Sequence, residues 1–395
     1  MRRPVEAANI RRRGAMARLG KVIVVGGGVG GLATALGLHR AGFEVEVHER
    51  YDDFQHHATG FTLWSYSVAR LGSLGLTPEA LDAVGGRVDF TEIRNQEGLL
   101  IEKMPVGEVC AKLGAPTFEI RRAGLLRALL EKLPAGTLRN GSECVAVEDE
   151  GDRAVAVFAD GSHATGDLLV GADGIRSVVR HAIVGETPIR YSGYDGTSAV
   201  IPFTHPLLPP RTHVDLWGRG AKAGVAGLGQ GHVRWYVTRK AAAGTPMPKA
   251  EILEHLSGWY ELARAAVEAT PESEMKYASF SDIPPIRTWH RGRIVLLGDA
   301  AHATTPFAAM GANMAIEDAA QLISLLGDAT TVEGALASFE ESRKKRTEDI
   351  VKKGRVMSRL TQLHSGFAAW LRDQAFLHIP PDQVEKITRE MASGA

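Results

Sequence analysis

The chain has 395 residues, 44% of them hydrophobic, and its 46 Lys+Arg are balanced by 46 Asp+Glu. That length supports a large core and more than one domain, and zero net charge argues against nucleic acid or an anionic membrane as a partner. No apolar run reaches the roughly 18 residues of a membrane span, and the two cysteines, Cys110 and Cys144, lack metal or redox spacing, so a reduced, cytoplasmic chain without a metal site is expected.

The opening "MRRPVEAANIRRRGAMARLG" is arginine-rich and lacks the apolar stretch of a secretory signal. It reads as a disordered basic tail over residues 1–19, with Met16 a candidate second start. "KVIVVGGGVGGLATALGLHRAGFEVEVHER" (21–50) then reads as strand, helix and strand. "VIVV" is a buried β-branched run, "LATALGLHR" is helical with Gly42 closing it, and "EVEVHE" alternates. Gly26, Gly28 and Gly31 match G-x-G-x-x-G, and Glu49 stands 18 residues after the last of them. This spacing suits a dinucleotide. The glycines make the turn, admit the pyrophosphate and pack helix on strand; the helix N-terminus offers free N–H groups; the acid takes ribose hydroxyls.

"GFTLWSYSVARLGSLGL" (60–76) reads as a strand-like entry to an amphipathic helix, and "FEIRRAGLLRALLEKLP" (118–134) as a helix with Arg122 at its start. "DLLVGADGIRSVVR" (167–180) is an apolar strand ending in Gly-Ala-Asp-Gly, where Asp173 is either a turn and helix cap or part of a site. From about 188 to 275 strand-like runs alternate with Gly and Pro ("SAVIPF", "RTHVDLW", "KAGVAGLG", "VRWYVTRK"), predicting an antiparallel sheet in a different domain, followed by one helix over "AEILEHLSGWYELARAAVEA". "RIVLLGDAAHATTPFAAMGANMAIEDA" (293–319) repeats the pattern of an apolar strand followed by Gly-Asp, thins to small side chains, and turns helical near Gly311. The remainder reads as helix.

Three motifs in this order, the glycine fingerprint with Glu49, "GADGIRSVVR" and "GRIVLLGDAAHATTPFAAMGANMAIEDA", resemble the single-component (class A) FAD-dependent monooxygenases of the aromatic-hydroxylase superfamily, in texture the salicylate-hydroxylase and zeaxanthin-epoxidase-like branch. The resemblance implies an α/β fold: a Rossmann-like FAD-binding domain of the p-hydroxybenzoate-hydroxylase type, an antiparallel β-sheet substrate domain and C-terminal helices. The FAD domain is expected over 20–75, 105–187 and 276–345, the substrate domain over 76–104 and 188–275, and the helices over 346–395. It further implies that Gly26, Gly28, Gly30 and Gly31 face the FAD pyrophosphate, Glu49 and Arg50 the adenosine side, and Arg122 the flavin side. Asp173 would serve FAD and nicotinamide nucleotide, Asp299 the ribityl hydroxyls, and Pro306 would lie beside the isoalloxazine. Gly311, Ala312 and Asn313 would meet its pyrimidine edge, where the helix dipole stabilises reduced flavin by roughly 0.3–2 kcal/mol. The family's P-x-x-G-Q-G-x-N is altered here: Ala309 and Met310 replace the first glycine and the glutamine.

The activity so implied is NADPH- or NADH-dependent hydroxylation or epoxidation of an aromatic or polycyclic small molecule by O₂ through a flavin C4a-hydroperoxide, in a monomer or homodimer. A reductase or dehydrogenase on the same scaffold, or a non-catalytic FAD- or ligand-binding protein, are the competing readings; the missing Gly-Trp-x-Trp-x-Ile-Pro argues against a halogenase. Candidate catalytic groups are His57, in a loop near the flavin, His213 with Asp215 on one face of "RTHVDLW", and Tyr236 on a neighbouring strand. Relatives often carry Trp-Arg where Thr197-Ser198 stands. Without that arginine, a largely uncharged substrate such as a polyketide or alkaloid intermediate is expected, bound against apolar walls of Phe203, Val214, Leu216, Trp217, Trp235 and Tyr236.

Overall fold

The computed structural model describes residues 19–53 and 59–394, so His57 lies outside the described residues, as does the expected tail apart from Leu19, which is buried. The strand Lys21–Val25 is central to a six-stranded sheet in the order His290–Arg291, Ile294–Leu296, Leu168–Gly171, Lys21–Val25, Glu44–His48, Leu138–Arg139. Its inner pairings are parallel. Both faces are covered, which is why these strands are continuous apolar runs. Parallel pairing brings the carboxyl ends of three neighbouring strands into line. Gly26, Asp173 and Asp299, separated by up to 273 residues of chain, therefore follow the ends of adjacent strands. The helix Val29–Arg40 packs on this sheet with Leu32, Leu36 and Leu38 buried.

A second, seven-stranded sheet has the order Lys276–Asp282, Arg190–Pro202, His232–Lys240, Ala221–Gly229, Thr212–Trp217, Phe90–Asn95, Leu100–Met104. It is antiparallel except where Thr212–Trp217 runs parallel to Phe90–Asn95. Alternation along each strand gives it two unlike faces. Val214, Leu216, Ala223, Val225, Val233, Trp235 and Val237 form an apolar core with Leu262, Ala266 and Val267 on the outer face. The expected single helix after this sheet is two, Lys249–His255 and Glu261–Glu268, separated at Gly258, whose φ of +77° favours glycine.

Lys276–Asp282 belongs to the seven-stranded sheet by pairing with Arg190–Ser198. Gly85–Arg87 pairs instead with Phe118–Arg121 on the dinucleotide side. The helix Val332–Leu360 passes unbroken through 345/346, starting where the Thr331 hydroxyl accepts from the Gly334 N–H. Arg372, buried in the following helix Gly366–Leu377, donates to the carbonyl of Trp217 and ties the C-terminal helices to the seven-stranded sheet. Cys110 and Cys144 are free thiols.

Candidate active site

The glycine loop is held by packing. Gly26 has φ +108°, and a Cβ there would strike the Ala172 carbonyl; a Cβ on Gly31 would strike the carbonyl of Gly26. One on Gly30 would meet Leu297 and Ala315, so this glycine lets the helix Val29–Arg40 approach the helix Gly311–Asp328. A Cβ on Gly28 would meet nothing within 4 Å. The backbone is open there, and the helix it precedes has no side-chain cap and no acid in its first turn. Among the described residues those N–H groups are therefore free for an anion. The Glu49 carboxylate accepts from the N–H of Gly27 at 2.7 Å and of Tyr51 at 3.1 Å, which fixes it at the strand end beside the loop. Arg50 is exposed, its guanidinium over the Tyr51 ring.

Asp173 is anchored by its own segment. Its carboxylate is occupied by the Ser177 hydroxyl at 2.6 Å and by the N–H groups of Val178 and Val179, at the start of the helix Val178–Val184. This is helix-capping geometry, and the Asp173 backbone lies against Gly26.

Asp299 differs: its carboxylate is solvent-accessible and makes no hydrogen bond or ion pair among the described residues. Desolvation by the surrounding protein raises its pKa, against the nearby charges of His302 and Arg122. The turn that presents it is rigid. Gly298, at φ +59°, donates to Asp318 Oδ2 at 2.8 Å; the same oxygen receives His302 Nε2 at 2.6 Å, and Oδ1 receives Arg343 Nε at 2.7 Å. Burial alone would raise the Asp318 carboxyl, but His302 and Arg343 hold it far below the usual range. None of these three supports was foreseen. The signal was an acid at the centre of the apolar stripe Met314, Asp318, Leu322, Leu326.

Arg122 is half-buried at its helix start. Its guanidinium lies over Phe61, 5.4 Å from the ring centroid, and makes no hydrogen bond among the described residues. Desolvation lowers its pKa and the charge of Asp299 counters that. A half-buried cation without a hydrogen-bonding partner among the described residues suits an anionic ligand. Arg122→Ala is expected to weaken FAD binding or slow flavin reduction while leaving the melting temperature within a few degrees, measured by FAD titration and stopped-flow reduction; wild-type values for both would make its role purely structural.

The helix Gly311–Asp328 also starts without a side-chain cap or a first-turn acid. Pro306, exposed, opens the short turn Pro306–Ala308 before it. Gly311 and Ala312 lie at the open helix end, and Gly311 is close to Asp299. The Asn313 side chain is buried: it accepts from the Trp64 N–H and donates to the carbonyls of Thr62 and Ala309. Ala309 holds the left-handed conformation, φ +52°, that the family's glycine would take without penalty. Two donors, Trp64 Nε1 and Asn313 Nδ2, fasten its carbonyl, and the Tyr66 hydroxyl reaches the Met310 sulfur. The left-handed region disfavours an L side chain by about 1–2 kcal/mol. Ala309→Gly is therefore expected to stabilise the fold by up to about 1 kcal/mol in urea unfolding.

The inner face of the seven-stranded sheet corrects the substrate expectation. Val214, Leu216 and Trp235 point away from it into the outer core, as does Thr197, which pairs with Val237. The inner face carries His213, Asp215, Lys222, Arg234 and Tyr236. Arg234 Nε donates to Glu119 Oε2 at 2.5 Å; Glu119 Oε1 receives the Thr62 hydroxyl at 2.7 Å and faces His213 Nδ1 at 3.1 Å. His213 Nε2 is 3.2 Å from the Tyr236 hydroxyl, which donates to Asp215 Oδ1 at 2.6 Å. Asp215 Oδ2 takes Trp217 Nε1 and Lys222 Nζ. Tyr236 gives its only proton to Asp215. Burial, then Asp215, raises the Tyr236 phenol well above its ordinary value, so it is a donor and not a base. Glu119 and Asp215 are fully enclosed, yet their neighbouring cations hold both carboxyls down.

The two uncapped helix ends, the unpaired Asp299 carboxylate and the opening at Gly28 together fit a flavin dinucleotide laid over the strand ends. A family model described as FAD binding domain matches residues 20–354. The chain belongs to the class A FAD-dependent monooxygenases. Among its relatives, it is 33% identical over 371 residues to the aurachin C monooxygenase/isomerase of Stigmatella aurantiaca, covering 93% of this chain and 96% of that one. It is 33% identical over 367 residues to a 3-amino-4-hydroxybenzoate 2-monooxygenase of Streptomyces platensis, covering 90% and 92%. The crystal structure of Klebsiella pneumoniae HpxO with FAD and uric acid superposes with a TM-score of 0.88 at 24% identity, over 94% of this chain and 96% of that one. This FAD-dependent monooxygenase thus has the α/β FAD-binding fold, antiparallel substrate sheet and C-terminal helices of its relatives, and acts on an aromatic or heterocyclic small molecule. Among the described residues no helix is long and apolar enough to cross a membrane.

Proposed function

We propose that this monooxygenase draws its electrons from NADH or NADPH and inserts one oxygen atom of O₂ into a ring compound seated between the flavin and the inner face of the seven-stranded sheet. The observation that carries this is the convergence of the unpaired Asp299 carboxylate and the uncapped end of the helix Gly311–Asp328. FAD, when bound, supplies hydride acceptance and O₂ activation. The protein binds and orients. Gly26, Gly28, Gly30 and Gly31 admit the pyrophosphate, Glu49 meets the adenosine ribose, Asp299 accepts ribityl hydroxyls, and Arg122 offsets negative charge. The N–H groups at Gly311 to Asn313 face the edge of the ring system where charge accumulates on reduction. His213 stands on the substrate face, and Tyr236, which keeps its proton, orients the substrate. The protein acts in the cytoplasm as a monomer or homodimer, without nucleic acid.

The test is oxidation of NADH and NADPH by the FAD-loaded protein under ¹⁸O₂ with a panel of aromatic and heterocyclic compounds. Substrate-stimulated oxidation with one labelled oxygen in the product is the expected result. Oxidation that proceeds without O₂ and leaves no label would make the protein a reductase on the same scaffold.

A further inference from the structure

The four-residue strand Gly60–Leu63 stands between the polar face of the seven-stranded sheet and the helix end assigned to the flavin. Its two sides meet different partners. Phe61 lies under the Arg122 guanidinium on one side. Gly60 and Thr62 share the other, because side chains alternate along a strand. A Cβ on Gly60 would come within 2.9 Å of Arg234 Cδ, so this glycine makes room for the arginine stem to cross the strand. Thr62 pairs directly across from Glu119. Its hydroxyl donates to Glu119 Oε1 at 2.7 Å, while Glu119 Oε2 receives Arg234 Nε. Thr62 is 5% exposed and Glu119 1%, so this bond is shielded from solvent.

The main chain of the same residue reaches the other way. The Thr62 carbonyl accepts from Asn313 Nδ2 at 2.9 Å, and Asn313 Oδ1 accepts from the Trp64 N–H at 2.9 Å. Asn313 Nδ2 also donates to the Ala309 carbonyl at 3.0 Å. Asn313 stands in the first turn of the helix Gly311–Asp328, and Ala309 is the left-handed residue just before it. A continuous series of bonds therefore runs from Arg234 through Glu119, Thr62 and Asn313 to Ala309. Its long-range links join residues 115, 57 and 251 positions apart in the chain. Thr62 holds both halves together, its side chain on Glu119 and its carbonyl on Asn313.

We propose that Thr62 is a positioning residue that couples the Glu119–Arg234 pair on the substrate face to the seat of the flavin edge at Asn313. It deepens the monooxygenase reading, on which it rests. A change in what Arg234 demands of Glu119 passes through the Thr62 hydroxyl to the strand that fixes Asn313, because bonds in an enclosed network polarise and hold one another. Coupling of this kind is reciprocal, so the seat of the flavin edge biases the polar face by the same factor. Replacing the Thr62 hydroxyl by a methyl group breaks the series at a group buried against Glu119.

The experiment is a double-mutant cycle on the full-length protein, read by FAD titration and by the visible spectrum of the bound flavin. It uses neither substrate nor NAD(P)H, so its failure leaves the ¹⁸O₂ test standing. Arg234→Lys keeps the charge beside Glu119 but loses the planar fork. In the Thr62 background it should weaken FAD roughly three- to tenfold and shift the flavin absorption bands. In the Thr62→Val background, which keeps the volume and removes the hydroxyl, the same change should move FAD affinity by less than about twofold and leave the bands in place. Thr62→Ser should restore the full response to Arg234→Lys. Thr62→Ala, which sets no methyl group against the carboxylate, runs the same cycle if Thr62→Val does not fold. An equal response to Arg234→Lys in both backgrounds would mean that Arg234 reaches the flavin by another path. Unchanged FAD affinity and spectrum throughout, with only the urea midpoint lowered, would make Thr62 a structural partner of Glu119 alone. Either result would overturn the proposal.

Discussion

Asp299→Ala is expected to purify folded and nearly colourless. The wild-type carboxylate has no hydrogen bond within the described protein, so its removal leaves no internal group unsatisfied. The turn that carries it is held independently, by the Gly298 N–H and His302 on Asp318. What is lost is a charged acceptor for ligand hydroxyls, about 1–3 kcal/mol, or roughly 5- to 150-fold in FAD affinity. Titration of the apoprotein with FAD, read by quenching of flavin fluorescence, measures this directly. Desolvation by the surrounding protein raises the pKa of the Asp299 carboxyl. FAD affinity should therefore fall on the acid side, beginning above the ordinary aspartate value of about 3.9, and Asp299→Asn should lack that dependence. Full FAD affinity in Asp299→Ala would remove Asp299 from the cofactor site.

Glu119→Gln is expected to be the most destabilising single change at the polar face. Glu119 is 1% exposed and bridges the strand Phe118–Arg121 to the substrate sheet through Arg234 and His213. Its amide keeps the volume but leaves the Arg234 guanidinium enclosed without a counter-charge. Breaking such a pair costs about 3–5 kcal/mol, seen as a lower urea midpoint at neutral pH. Burial works against the Glu119 carboxylate, but Arg234 and His213 hold its pKa below the ordinary value. The contribution is therefore fully present above the unfolded glutamate value of about 4.3, and is lost as pH falls through the folded value. The gap between wild type and variant should be widest near neutrality and narrow progressively below about pH 4. A variant with the wild-type midpoint at pH 7 would show that the network contributes no net stability.

The βαβ unit, its glycines and Glu49 were legible in the chain because each is a local demand: a β-branched run, a turn that admits no Cβ, a helix start and an acid at the next strand end lie within 30 residues. The Gly298-Asp299 turn was legible for the same reason, as was the alternation of the substrate strands. Asp173 could not be assigned from sequence, since a helix cap and a ligand-binding acid look alike until Ser177, Val178 and Val179 are seen on its carboxylate. The inner face lay further out of reach. Which side of "RTHVDLW" meets the flavin depends on how the whole sheet docks, and a strand's period of two makes the alternatives opposite in character: one offers Val214 and Leu216, the other His213 and Asp215. Docking buried the apolar set under the helices after the sheet and turned the charged set inward. Glu119 and Arg234 then met across 115 residues of chain, and Asp318 met Gly298 across 20. The sequence by itself determined the cofactor and the strand ends that hold it, because backbone geometry and spacing encode them locally. The tertiary structure alone decided which side chains the inner face of the sheet presents, because pairing between distant strands and docking of the helices set which of them share a face.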